Sequence, residues 1–258
     1  MYPTDLNETE LEILQPYLVK PLPEKAGRGR PTKQEFRREV NAILYVVKTG
    51  CQWRMLPREF PPWQSVYGYF RRWRLDGTWD RAMHALRKQA RSQAGRNAEP
   101  SVAIVDSRSV KTGSKGGNAG STRGKKIKGR KQHIAVDTMG FVLAVVVHSA
   151  GIQDRVGARA VLIRLFGLLD TIQTVFVDGG YSGKLIDWSR EMFDWLVTVV
   201  KHTEQHRFAV LPKRWIVERT FAWLANSRRL NRDYEVSPKQ AEAMIKVAMI
   251  HLLLKRLA

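Results

Sequence analysis

The spacing of apolar residues changes at Ser101, and that change most limits what the chain can build. Before it, apolar side chains recur every three or four positions, the period of amphipathic helices; after it they gather in short runs of strand length. Asn7 with Glu10 three residues on is a capping-box start, followed by Leu11, Leu14 and Leu18. A Pro- and Gly-rich break (Pro21 to Pro31) precedes a second stripe of Phe36, Val40, Ile43, Leu44 and Val47, which Gly50 ends. Cys51–Pro61 is expected to be a packed loop. Val66, Tyr69, Phe70 and Trp73 form a third stripe. Trp79, Met83, Leu86 and Ala90 form a fourth, leaving Arg81, Arg87, Lys88 and Arg91 outside. The polar segment Ser92–Pro100 is a linker, so residues 1–95 are expected to be an all-helical domain.

Residues 96–258 predict a mixed α/β domain. Val102–Val105, Gln132–Val136 and Phe141–Val147 are strand-like, the last two joined by the turn Asp137-Thr138-Met139-Gly140. Val156–Leu169 predicts a helix with Val156, Ala160, Val161, Leu165 and Leu168 inward. Thr174–Val177 predicts a strand, Leu185–Met192 a helix and Phe193–Val200 a strand. Pro212 begins a helix running to about Leu230, and Pro238 begins another. Alternation of this kind builds a central sheet flanked by helices.

Charge narrows the function. The chain carries +20, with a pI near 10.4. Residues 1–100, 101–140 and 201–258 carry +7 each, while 141–200 carry −1. Such an excess repels itself and points to a polyanionic partner rather than to a merely solvated face. One cysteine, Cys51, excludes an internal disulfide and fits a reducing cytoplasm. No apolar run approaches the ~20 residues of a membrane span, and Met1–Glu12 lacks the pattern of a signal peptide. A cytoplasmic protein without a membrane partner is expected.

Three acids stand where a fold rarely puts them. Asp106 closes the run Val102–Val105, and Asp178 closes Thr174–Val177; residues at the ends of parallel strands line ligand crevices. Glu218 lies within Trp215-Ile216-Val217-Glu218-Arg219-Thr220-Phe221-Ala222-Trp223-Leu224, on a helical face with Trp215, Ala222 and Ala225. Burying a carboxylate there is costly unless a cation meets it. The bland alternatives are a strand-end cap for Asp106, a turn residue before Gly179-Gly180 for Asp178, and an ion pair with Arg214 or Arg219 for Glu218. Singly each serves, but together they leave the basic charge unexplained. Carboxylate oxygens suit magnesium, and a pair of such ions supports in-line phosphoryl displacement.

At these residues the chain resembles the DDE transposases of bacterial insertion sequences, in family five of the family-four-like class. Four passages carry the resemblance. The first runs from Arg30-Pro31 through Phe36-Arg37-Arg38-Glu39-Val40 to Thr49-Gly50-Cys51-Gln52-Trp53-Arg54-Met55-Leu56-Pro57. The second is Val105-Asp106-Ser107 with Ser109-Val110-Lys111, and the third Lys125-Lys126 through Gly129-Arg130-Lys131 with Asp137-Thr138. The fourth is Val177-Asp178-Gly179-Gly180-Tyr181 with Val217-Glu218-Arg219-Thr220-Phe221. The resemblance implies an RNase H-like core in which Asp106, Asp178 and Glu218 are catalytic and bind metal: magnesium, with manganese able to substitute. It also implies a helical N-terminal domain that recognises transposon ends, double-stranded DNA as partner, and a homodimer when assembled on DNA. The wider class has Tyr, Arg, Glu and Lys around its catalytic glutamate; Arg214 matches the Arg, while Leu211 and Ala225 stand at the Tyr and Lys positions. Arg228 or Arg229 is expected to supply the missing charge.

The stretch Arg108–Lys131 holds nine Lys or Arg, six glycines and no acid. It is expected to be a DNA-backbone clamp using Arg108, Lys111, Lys125, Lys126, Lys128, Arg130 and Lys131, with Arg214, Arg219, Arg228 and Arg229 on further phosphates. The alternative is a solvated loop. It is no nucleotide P-loop, because Gly124-Lys125 is followed by Lys126 and position 119 is Ala. Gly29-Arg30-Pro31 resembles part of a minor-groove hook but reads more simply as a linker. Trp53, Trp63, Trp73 and Trp79 fit core packing better than base stacking. His202, Glu204 and His206 have the wrong spacing for a zinc helix. The expected function is end-specific DNA cleavage followed by strand transfer. Its rivals are a catalytically silent DNA-binding protein of the same fold and an RNA-cleaving relative.

Overall fold

The computed structural model describes residues 2–18, 36–113, 120–121, 128–181, 183–200 and 214–258. Lys125, Lys126, Gly29–Pro31, Leu211, Pro212 and His202–His206 lie outside them, as do the side chains of Lys128 and Arg214.

The helical half follows its apolar stripes. Helix α1 (Glu8–Leu14) starts in a capping box: Glu10 N donates to Asn7 Oδ1 at 2.8 Å, and Asn7 N to Glu10 Oε2 at 3.0 Å. Helix α2 (Arg37–Thr49) ends at Gly50, whose φ of 76° is cheap only without a side chain. Helices α3 (Trp63–Leu75) and α4 (Thr78–Gln93) bury Val66, Phe70, Trp73, Trp79, Met83, Leu86 and Ala90. Trp73 and Trp79 meet edge to face at 5.2 Å, so both are core residues. Arg87 and Arg91, expected outside, are buried instead. Each meets an anion: Arg87 pairs with Glu99 at 2.9 Å and Arg91 with Asp137 at 2.7 Å. A period of 3.6 identifies a buried face but not the partners that can draw a cation into it.

The sheet consists of β1 (Val102–Lys111), β3 (Lys128–Val136), β4 (Val142–Ser149), β5 (Thr174–Asp178) and β6 (Leu196–Val200), with a two-residue strand β2 (Gly120–Ser121) beside the start of β3. Its order is β4-β3-β1-β5-β6. The first three strands are antiparallel, while β5 and β6 run parallel to β1. That is the mixed sheet expected of an RNase H-like fold. The hairpin turn falls at Asp137–Gly140, where Asp137 Oδ1 accepts from Met139 N and Phe141 N.

Helices α5 (Asp154–Phe166) and α6 (Lys184–Phe193) cover one face, packing Val161, Leu162, Leu165 and Leu185 on Ala103, Val105, Val175 and Val177. Helices α7 (Arg214–Ala225) and α8 (Pro238–Leu257) cover the other, with Ile104, Ile134, Val145 and Val147 beneath. The same core takes in α1–α4, because α8 packs against α4, α2 and α1.

Three expectations needed correction. The inner face of α5 is Gly157, Ala158, Val161, Leu162 and Leu165; Val156, Ala160 and Leu168 are exposed. Its charged residues, Asp154, Arg155, Arg159 and Arg164, are spread round the helix, which leaves periodicity no clear side to choose. Helix α7 stops at Ala225, and a separate 3-10 turn, Arg228–Leu230, follows. Strand β1 continues through Asp106 to Lys111, and β3 begins at Lys128, so both ends of the supposed basic clamp are sheet.

Candidate active site

Register sets the two aspartates side by side. Strands β1 and β5 pair in parallel through Val105↔Val177, and the next residue on each strand is Asp106 and Asp178. Neighbouring strands lie roughly 4.8 Å apart. Side chains alternate between faces, so each aspartate shares the face of the residue two before it. Those residues are Ile104 and Phe176, both packed in the core beneath α7 and α8. A cleft there is lined by Ile104, Val105, Asp106, Phe176, Val177, Asp178, Val200 and Val217.

Helix α7 brings Glu218 to this face of the sheet, packing on β1, β3 and β5. Ile216, Val217, Thr220 and Leu224 are its buried side. Glu218 itself is exposed, on the flank of Val217. The cost of burying it, which singled it out in the sequence, is therefore not incurred. Among the described residues no three His, Cys, Asp or Glu side chains are gathered closely enough to hold a metal ion. The topology thus brings two carboxylates to neighbouring positions on adjacent strands, Asp106 within β1 and Asp178 at the end of β5, and lays the third's helix over the same face, without drawing the three together among the described residues.

Several expected DNA contacts are engaged inside the fold. Arg108, two residues past Asp106 on the same face, lies 5.1 Å over the Phe221 ring and donates to the carbonyls of Phe221 and Leu230, each at 3.3 Å. It ties the C-terminal end of α7 to β1, and burial lowers its pKa to about 10. Arg130 is fully buried, paired with Asp233 at 3.1 Å and donating to the carbonyls of Glu235 and Val236. Lys131 pairs with Asp154 at 2.7 Å. Arg229 is buried against Glu235 and donates to Cys51 O at 2.9 Å, so it does not replace the missing Lys beside Glu218. Arg219 sits between the rings of Trp215 and Trp223, 4.5 Å from each, and donates to Met139 O. Lys111 and Arg228 remain exposed. Most of these cations answer to acids or carbonyls distant along the chain, which a local reading of charge runs does not see.

Sequence reasoning missed a polar cluster on the opposite face of β1. Ser107 Oγ donates to Asp154 Oδ1 at 3.2 Å, and Tyr181, buried at the end of the turn Gly179–Tyr181, lies 3.3 Å from His133 Nδ1. The His133 and His148 rings stack at 4.8 Å. Burial, with His148 beside it, lowers the His133 pKa to about 3. Gly157 makes the room: a Cβ there would come within 2.2 Å of His148 Nε2 and 2.4 Å of His133 Nε2. The signal was present as a glycine inside α5.

An RNase H-like sheet with an acid just past the last mutually paired residue on each of two parallel strands defines the class. Comparison with known proteins gives the family. A model described as "Transposase DDE domain" matches residues 97–253, and one described as "Putative transposase of IS4/5 family" matches residues 6–83. The chain belongs to the DDE transposase family of insertion sequences. Two Burkholderia cepacia proteins are similar. The "Insertion element IS402 uncharacterized 16.2 kDa protein" is 32% identical over 112 residues, covering 43% of this chain and 75% of that one. The "Putative transposase for insertion sequence element IS402" is 28% identical over 123 residues, covering 42% of this chain and 54% of the other. Among solved structures, the catalytic domain of Mos1 mariner transposase matches at TM-score 0.34 and 12% identity, covering 69% of this chain and 90% of that one. The Mos1 mariner paired end complex with Mn also matches at 0.34 and 12%, covering 92% and 80%. At that level the likeness is loose, and the fold assignment stands on the strand order itself. No helix among the described residues is long and apolar enough to cross a membrane.

Proposed function

We propose that this transposase cleaves DNA at the ends of its element and joins the freed 3′ ends to target DNA, using Asp106, Asp178 and Glu218. The observation that carries the reading is the register that sets Asp106 and Asp178 beside each other on the face covered by α7. The donor set is all carboxylate, which fits a hard divalent cation, magnesium or manganese. Asp106 and Asp178 would be the principal ligands, with Glu218 closing the site from α7. Cations held there would stabilise charge on the transferring phosphorus and acidify the attacking hydroxyl. The rest falls to the chain. Paired strands fix the spacing of the aspartates, and Arg108 fixes the end of α7 against β1. In the first reaction water displaces the 3′ oxygen of a phosphodiester; in the second that 3′-hydroxyl displaces an oxygen of a target phosphate.

Residues 1–95 are proposed to recognise the ends, in a protein that dimerises on them. Lys125, Lys126 and Lys128, with exposed Lys111 and Arg228, are proposed to hold the duplex backbone, alongside Arg214. An assay with magnesium, a linear DNA carrying the element's ends and a supercoiled target tests the reading. Joined product from wild type and none from the Asp178→Asn protein is expected.

A further inference from the structure

Helix α3 presents a face that the fold does not use. Its buried side is Val66, Phe70 and Trp73. On the opposite side Gln64, Ser65, Gly68, Arg71, Arg72 and Leu75 are all exposed, and they fall within roughly one third of the helix circumference. The helix carries Arg71, Arg72 and Arg74 and no acid. No side-chain hydrogen bond or ion pair among the described residues engages Gln64, Ser65 or Arg71.

The other helices of this half differ. Helix α1 exposes Glu8 and Glu12, which repel phosphates. Helix α2 buries Val40 to Leu44, Val46 and Val47. Helix α4 lies against α8, and its open side is engaged: Arg81 donates to Asp76 O and Thr78 Oγ1, Lys88 pairs with Glu99, and Gln89 donates to the Tyr17 hydroxyl.

Gly68 is the sharpest sign. Glycine inside a helix is less favourable than alanine, and packing does not call for it here, since a Cβ at Gly68 would have nothing within 4 Å. A bare backbone on an open helix face suits a partner that comes close to the main chain. The flanks say which partner. Exposed Arg54 lies 5.4 Å over the Trp63 ring at the start of the helix, and Arg71 and Arg72 stand towards its end. From Trp63 to Arg71 the helix rises about 12 Å, close to the ~12 Å width of the DNA major groove. Cations at both ends of such a span meet the phosphates on either side. The Gln64 carboxamide and the Ser65 hydroxyl, between them, suit the hydrogen-bonding edges of bases.

We propose that α3 is the helix that reads the element's end: it enters the major groove of duplex DNA, with Gln64 and Ser65 on base edges, Gly68 at the closest approach, and Arg54, Arg71 and Arg72 on flanking phosphates. The proposal rests on the reading of residues 1–95 as the end-recognising domain and names the surface that does it.

The test is gel-shift titration of the whole protein on duplex carrying the element's end and on unrelated duplex, with the unfolding temperature of each preparation measured beside it. Gly68→Leu puts a better helix former into open space, so it should fold as well as wild type. It should nevertheless lower the preference for end DNA about tenfold or more, because a side chain stands where the groove must approach. Gln64→Ala should lower that preference about five- to hundredfold, the worth of a base contact, and carries the test should Gly68→Leu not fold. Arg71→Ala should weaken binding to both duplexes alike and lower the slope of log affinity against log salt by about 0.9. Wild-type preference in folded Gly68→Leu or Gln64→Ala, or a wild-type salt slope in Arg71→Ala, would overturn the docking of α3 while end recognition stands. A wild-type protein that does not distinguish the two duplexes would instead overturn end recognition, and the role of α3 with it.

Discussion

Arg91 of α4 reaches Asp137 in the β3–β4 turn at 2.7 Å, and both side chains are almost entirely out of water. The same aspartate receives two backbone N–H groups of its own turn, so one carboxylate organises the hairpin and fastens it to the helical half. Because removing one partner leaves the other charge buried, Arg91→Met should cost about 3–5 kcal/mol. Chemical denaturation of the variant checks this. A loss below about 1 kcal/mol, typical of an exposed pair, would show that the two halves are not coupled there.

Salt dependence separates phosphate-binding cations from structural ones. Replacing Lys125 and Lys126 with Ala should lower the slope of log affinity against log salt by about 0.9 for each duplex phosphate that is no longer neutralised. Arg130→Ala should leave that slope unchanged and destabilise the fold instead, since Asp233 would be left buried without its cation. Gel-shift titrations beside unfolding curves check both. A flattened slope from folded Arg130→Ala would return that residue to the DNA-facing set.

Much of the fold is legible in the sequence, and the failures share a cause. The helical stripes, the Asp137–Gly140 turn and the positions of Asp106 and Asp178 depend on neighbours a few residues away, so local pattern revealed them. Arg87, Arg91, Arg130 and Arg229 looked exposed because charge usually is. Their burial depends on Glu99, Asp137, Asp233 and Glu235, and for Arg130 the partner is 103 positions distant. Glu218 was singled out for sitting on an apolar face, yet that face is largely open to solvent. Its place on α7, over the sheet face that bears the aspartates, is what supports it.

Acid should weaken the fold before most carboxylates titrate. His133 is held neutral by burial down to about pH 3, and His84 and His251, largely by burial, to about pH 4. In the unfolded chain each takes a proton near pH 6.5. Between those limits the unfolded state binds more protons, so stability present above pH 6.5 is lost as pH falls towards 4. Unfolding temperature measured from pH 7 to 5 should decline, and less steeply in the folded His84→Gln, His251→Gln protein. A wild-type profile flat over that range would contradict the burial of these rings.

Glu218 separates a ligand from a bystander. Glu218→Gln should leave stability within about 1 kcal/mol, since an exposed carboxylate contributes little, and should abolish strand transfer. Measuring both on one preparation decides the point. A stable and active Gln variant would take Glu218 out of the site.

The most direct measurement of the central claim is strand transfer by Asp178→Asn protein in magnesium, with DNA carrying the element's ends and a supercoiled target. Asn keeps the shape of the side chain and one carbonyl oxygen but removes the charge a cation site needs. The account predicts normal folding, DNA-end binding equal to wild type or slightly tighter, and no cleaved or joined product. Joined product from Asp178→Asn at a rate comparable to wild type would contradict the three-carboxylate account.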